Sequence, residues 1–214
     1  MTEKESLELA TMWHVDALLQ VFPITIVTTI DREGRINAAP YSLVLPFCSS
    51  SKNPQMLLIS NKNWHTEKNI EATGEFVLNY PRAGQLKEVT ETSYFHPAGV
   101  NELDYTGYTT IPSRIVRPPR IAECYQHVEC RVRGIIRPSL QQVNIIADVL
   151  DISTDAGLCE LSRLERVQAV NAPVYLGVDE ERGHIFGNVS GVVPEFLEQC
   201  AASEKKLPAH EAAC

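Results

Sequence analysis

The period of the hydrophobic positions changes several times along the chain, and each change marks an element. From Leu7 to Leu19 apolar residues recur at mixed three- and four-residue intervals, the spacing of an amphipathic helix, and Pro23 lies just beyond its end. The next run, Ile24 to Ile30, is almost entirely β-branched and predicts a strand. Asp31-Arg32-Glu33-Gly34 supplies turn chemistry, and Arg35 to Ala39 resumes as extended chain, so the pair predicts a hairpin. Met56 to Ser60 predicts another strand, Glu67 to Thr73 a short helix closed by Gly74, Phe76 to Tyr80 a strand and Gln85 to Thr92 a second short helix. From Ser93 to Ile121 the chain carries Pro97, Gly99, Gly107, Pro112, Pro118 and Pro119, and reads as irregular chain wrapped on the surface. Strand patterning returns at Glu129 to Ile136, Val143 to Ile152 and Val174 to Val178.

Strands that outnumber helices and follow one another through hairpin-type turns predict a mainly β fold with flanking helices, an antiparallel barrel closed or partly closed. Residues 1–22 are read as an N-terminal helical segment, 23–200 as the barrel domain, and 201–214 as a polar, alanine-rich tail that frays. On the second arm of the hairpin, Asn37-Ala38-Ala39-Pro40-Tyr41-Ser42 thins out its side chains where a strand should continue. Such bare backbone could receive a flat group; a bulge or the end of an edge strand would read the same way.

Composition narrows the chemistry. With 19 Lys and Arg against 27 Asp and Glu, the net charge of −8 works against non-specific attraction to nucleic acid or to an anionic membrane. The chain contains no run of about 18 apolar residues, and its polar, acidic start lacks the pattern of a secretory signal, so a cytoplasmic location is expected. Six cysteines are widely spaced with no CxxC, which predicts free thiols rather than disulfides or zinc, with Cys124 and Cys130 on one face of a strand. No GxSxG, HExxH, Walker loop or GxGxxG occurs, and the histidines at 14, 65, 96, 127, 184 and 210 lack metal-ligand spacing.

An anion site is suggested at the loop before Thr66, where a helix N-terminus leaves N–H groups unpaired. Thr66 adds a hydroxyl, Lys62 a charge, and Cys48-Ser49-Ser50-Ser51-Lys52 further hydroxyls and a second cation. Tyr41 and Trp64 could stack on a planar ligand, and His65 could donate to a phosphate. Each also has an ordinary reading as a cap, a solvated side chain, a loop residue or a core anchor. Together they supply what an aromatic cofactor with a phosphate tail requires, and flavin mononucleotide fits that description.

Four stretches carry a resemblance: PITIVTTIDREGRINAAPYS (Pro23 to Ser42), WHTEKNIEATGEFVLNYP (Trp64 to Pro81), GVNELDYTGYTTIPSRIVRPPRIAEC (Gly99 to Cys124) and VECRV (Val128 to Val132). In this order, over about Phe22 to Gly177, the chain resembles the flavin reductase-like, FMN-binding split-barrel proteins, in the branch that includes flavoredoxin. The resemblance implies a six-stranded antiparallel split β-barrel, usually a homodimer, with FMN at or near the subunit interface. It implies that Asn37, Pro40 and Ser42 border the isoalloxazine ring, that the alanines, Ala39 among them, make room for it, and that main-chain donors at Tyr41 and Ser42 reach its heteroatoms. Ser49, Ser50 and Ser51, with Lys62 and Thr66, would hold the ribityl phosphate. The activity implied is an FMN-dependent oxidoreductase taking electrons from NADH or NADPH, with no separate catalytic side chain. The alternative is a flavin carrier that exchanges electrons with a redox protein. Tyr94 and His96 are further positions that could cover the ring.

Overall fold

The computed structural model describes residues 20–179 and 183–189, with residues 4, 6, 7, 17, 181 and 191. The tail after Ala201, and nearly all of the helix expected over Leu7 to Leu19, lie outside the described residues. The strands are β1 (Phe22–Pro23), β2 (Thr25–Ile30), β3 (Ile36–Tyr41), β4 (Val44–Cys48), β5 (Gln55–Asn61) and β6 (Glu75–Tyr80). After them come β7 (Thr110–Ile111), β8 (Arg120–Ile121), β9 (Gln126–Ile136), β10 (Gln142–Thr154), β11 (Pro173–Asp179) and β12 (Gly183–Asn188). Three helices are described: α1 (His65–Thr73), α2 (Leu86–Glu91) and α3 (Arg163–Val170).

Seven strands form one antiparallel sheet in the order β3-β2-β6-β9-β10-β5-β4. Its two edges, β3 and β4, are separated in sequence only by Ser42 and Leu43. Two residues span too little distance to cross a flat sheet of seven strands at about 4.8 Å each, so the sheet must curl until its edges meet at that corner. The fold is therefore the expected mainly β, split-barrel class. Counting β3 and β4 as one strand bent at Ser42 gives the six strands of the barrel.

The barrel interior holds Val27, Leu58, Phe76, Leu78, Val128, Cys130, Val143 and Ile145, taken from alternate positions along their strands. A second cluster lies outside the wall, where Ile24, Ile26 and Ala38 meet Val89 of α2, Leu103, Tyr108, Ile121 and Cys124. All six residues of β2 are consequently buried, which explains why its sequence is β-branched throughout instead of alternating. Cys124 and Cys130 do not share a strand face as expected. Cys124 precedes β9 and sits in the outer cluster, whereas Cys130 is in the barrel interior; both are free and buried, and burial raises both thiol pKa values.

Among the α-helices and the strands longer than two residues, two strands and a helix escaped the pattern, as did the two-residue strands β1, β7 and β8. β4 contains Pro46 and exposes Leu45, Pro46 and Phe47, as an edge strand can. β12 opens on Gly183 and carries Gly187 within it, so it lacks a run of β-branched residues. α3 is announced by Ser162, whose hydroxyl accepts from Glu165 N at 3.3 Å while Glu165 Oε2 accepts from Ser162 N at 2.8 Å, a capping box. No helix among the described residues is long and apolar enough to cross a membrane.

Candidate functional site

β3 presents an unpaired long side because it is a sheet edge. In the β2–β3 ladder Ala38 pairs with Thr28 and Pro40 with Ile26, and the Ala38 N–H points away from β2, donating to Glu102 Oε2 at 2.9 Å. The pleat alternates, so the nitrogen of Pro40 also faces away from β2 and its missing N–H removes no ladder bond. By the same alternation the Tyr41 amide faces β2. The expectation of a ligand donor at Tyr41 is thus corrected, and Ser42 is the next amide free to face the open side.

The two alanines play different parts. Ala38 is fully buried, and its small side chain lets the 3₁₀ turn Glu102–Tyr105 approach β3 closely enough for Glu102 to reach its amide. Ala39 is half-buried and lines a cavity of ≈ 400 Å³. Eight of the expected residues line that cavity: Asn37, Ala39, Pro40, Tyr41, Ser42, Trp64, His65 and Thr66. The Tyr41 ring tilts against Trp64 at 6.0 Å, its hydroxyl is 2.9 Å from Ser60 Oγ, and burial pushes its pKa up to about 12. The volume falls in the range of about 300–1,000 Å³ usual for small-molecule clefts, and the lining is mostly apolar and aromatic.

The remaining four residues are elsewhere. β4 pairs antiparallel with β5, Val44 opposite Leu58 and Cys48 opposite Gln55, so the turn carrying Ser49, Ser50 and Ser51 lies at the start of β5. Lys62 lies beyond the other end of β5, exposed, its amide donating to Gln141 O. Seven residues of strand, about 20 Å, separate the two. Within one chain, then, the serine turn does not come alongside the strand-to-helix loop, which corrects the expected phosphate cradle of Ser49, Ser50, Ser51, Lys62 and Thr66.

Thr66 is also not the helix cap. Asn63 takes φ 73°, its amide donates to Glu67 Oε2 at 3.1 Å, and the helix begins at His65 with Trp64 as N-cap. Thr66 is buried and turned inward toward Asn37. The orientation that satisfies both ends of the Asn37 amide has its nitrogen donating to Glu102 Oε1 at 3.1 Å and its oxygen accepting from Thr66 Oγ1 at 3.2 Å. Glu102, Asn37 and Thr66 therefore form one buried network beneath the cavity.

Several lining residues had not been singled out. Glu102 lies in an irregular segment, and a lone acid there reads as solvated, yet only 4% of it is exposed. Tyr175, His184 and Phe186 arrive from β11 and β12 as an aromatic cluster with centroids 5.7 to 6.3 Å apart. Phe95 stands at the rim, 86% exposed, with its ring 5.7 Å from that of His65. Tyr94 and His96 do line the cavity; His96 stacks on Tyr105 at 4.8 Å, and its buried Nε2 has no hydrogen-bond partner among the described residues.

Burial raises the Glu102 carboxyl pKa above 4.5, against the opposing pull of the Ala38 amide and of His65 and His96. A carboxyl whose folded-state pKa lies above its unfolded value binds more protons in the native state, so it favours the fold at low pH. That contribution is full below about 4.5 and is lost as pH rises through the raised native value. Glu102→Gln is expected to remove this decline. Urea midpoints measured across mildly acidic pH should fall more steeply with rising pH for the parent than for the variant, and parallel profiles would refute the assignment.

A family model described as "Flavin reductase like domain" matches residues 21–162. An uncharacterized protein of Methanothermobacter thermautotrophicus is 34% identical over 113 residues, 53% of this chain and 52% of that protein. The chain spans about half the length of the curated relatives it matches. Among solved structures, nitrilotriacetate monooxygenase component B from Bacillus cereus superposes with a TM-score of 0.78 at 17% identity, covering 90% of this chain and 99% of that one. Flavoredoxin of Desulfovibrio vulgaris gives 0.74 at 18% identity, covering 98% and 99%.

Proposed function

Since the chain belongs to the flavin reductase like domain family, matched over residues 21–162, we propose that it is an oxidoreductase that binds FMN and reduces it with NADH or NADPH. The observation that carries this reading is the aromatic-lined cavity of ≈ 400 Å³ laid along the open edge of β3. An isoalloxazine ring needs a flat apolar slot with polar groups at its rim. The slot is offered by Ala39, Pro40, Tyr41 and Trp64, and the polar side chains of Asn37, Ser42 and His65 line the same cavity. A few polar groups in an otherwise apolar cavity are what orient a heteroatom-rich ligand.

Bound flavin supplies the two-electron chemistry, and the chain's own residues bind, orient and shield it. Asn37 and Thr66, locked by Glu102, fix the floor, while Phe95, Trp64 and the Tyr175–Phe186 cluster wall the slot against water. The protein works as a homodimer in this reading. β4 leaves Leu45 and Phe47 43% and 53% exposed on an unpaired edge, a surface that a second copy would cover.

Titrating purified protein with FMN tests the first half, since flavin fluorescence should be quenched with saturable binding. Anaerobic mixing of the loaded protein with NADH and NADPH tests the second, and bleaching of the flavin bands is the expected result. Bleaching by dithionite alone would assign the protein as a carrier for a redox partner instead.

A further inference from the structure

Beside the ring cavity lies a second cleft, of ≈ 270 Å³, and the two share Asn37 and His65 as lining residues. Its walls are the β2–β3 turn, the outward side of α1 and residues 98–100. The turn's two carboxylates are both engaged by Arg35, Asp31 at 2.6 Å and Glu33 at 3.1 Å. Arg32 and Lys68 line the same cleft, are exposed, and have no carboxylate within 4.0 Å among the described residues. In a chain of net charge −8, two uncommitted cations facing one cleft depart from the background. Desolvation by a ligand is the setting in which such charges acquire energetic weight.

The serine turn is at the far end of β5, so a ligand lying along β3 within one chain meets cationic side chains on the Asn37 side and not at Ser49 to Ser51. We propose that this cleft takes the phosphate-bearing tail of a nucleotide whose flat ring lies in the adjoining cavity. The proposal rests on the flavin reading and adds to it the site of the anionic tail. A phosphomonoester carries about −1.5 to −2 charges near neutral pH, which two cations match. The same chemistry has two sources: the flavin's own phosphate or pyrophosphate, or the pyrophosphate of a reduced nicotinamide dinucleotide.

The double variant Arg32→Ala/Lys68→Ala removes both charges at exposed positions, and an unchanged melting temperature checks that it folds. Dissociation constants for riboflavin, FMN, FAD and ADP are compared with those of the parent. If the tail is the flavin's, FMN and FAD weaken by about tenfold or more while riboflavin, which has no phosphate, is unchanged. If it is the nicotinamide's, the flavin constants hold, ADP binding is lost, and KM for NADH or NADPH rises with kcat preserved. Equal affinity of parent and variant for every one of these ligands overturns the proposal, including the case in which the parent does not bind ADP. Failure of the parent to bind riboflavin and FMN would instead sink the flavin reading, and the ADP arm would still decide whether the cleft holds a phosphate.

Discussion

Ala39→Leu is expected to abolish flavin retention while leaving the barrel folded. Ala39 is half-buried in the middle of β3, opposite Val27, where it touches the interior cluster from one side and lines the ≈ 400 Å³ cavity on the other. The Ala39 methyl already packs against the interior cluster, so three added carbons lean to the side where the cavity is open. A flat ring packed on main chain tolerates no such intrusion, because close packing makes even one methylene felt. The affinity for riboflavin and FMN should fall by about a hundredfold or more, the result of losing several kcal/mol of ring burial.

Stability should move far less. An inserted side chain that can lean into open space avoids most of the strain of overpacking, whose usual range is about 1–3 kcal/mol. Ala39→Gly is the paired control, since it leaves the slot open and should keep binding within about tenfold of the parent. A folded Leu variant, verified by its urea midpoint, that still binds flavin as the parent does would place the ring somewhere other than over Ala39.

The period of the side chains made most of the fold legible. The run Ile24 to Ile30, the Asp31 to Gly34 turn and the strands at Phe76 to Tyr80 and Val143 to Ile152 all lie where their patterns place them, because burial on one or both faces is what those patterns encode. β4 was hidden since an edge strand need not bury an alternating face, and its Pro46 argues against a strand. The site was half legible. A stretch of small residues on an edge strand marks open main chain, and Asn37, Ala39, Pro40 and Ser42 line the cavity. The phosphate cradle was misplaced because it depended on which end of β5 the serine turn occupies, a matter of register that no local pattern shows. Glu102 was invisible for a related reason: it is buried only because Ala38, distant in sequence, leaves room above β3.

Glu129→Ala is expected to be the most damaging single change to stability among the buried polar groups. Glu129 sits on β9, wholly buried, and its carboxylate accepts from three successive amides: Arg114 at 2.8 Å, Ile115 at 2.7 Å and Val116 at 3.1 Å. Those amides belong to the irregular stretch between β7 and β8, which has no ladder of its own, so the carboxylate does the work that a neighbouring strand would do elsewhere. Arg120 Nε lies 3.9 Å from the same group. Truncation strands three amide donors, that of Val116 buried and those of Arg114 and Ile115 part-buried, and removes the only anionic partner within 4.0 Å that Arg120 has among the described residues. Each buried donor left unpaired costs about 1–3 kcal/mol, so a loss of about 3–5 kcal/mol is expected. Against a usual total of about 5–15 kcal/mol that is enough to shift the urea midpoint far or to prevent folding. Glu129→Gln separates charge from shape: its carbonyl oxygen can still accept from Ile115 and Val116 in the place of Oε2, whereas the NH2 in the place of Oε1 cannot accept from Arg114, so its loss should fall between those of the parent and of Ala. An Ala variant unfolding within about 1 kcal/mol of the parent would mean that the loop is held by the Val116 side chain and Pro119 contacts instead of by the carboxylate.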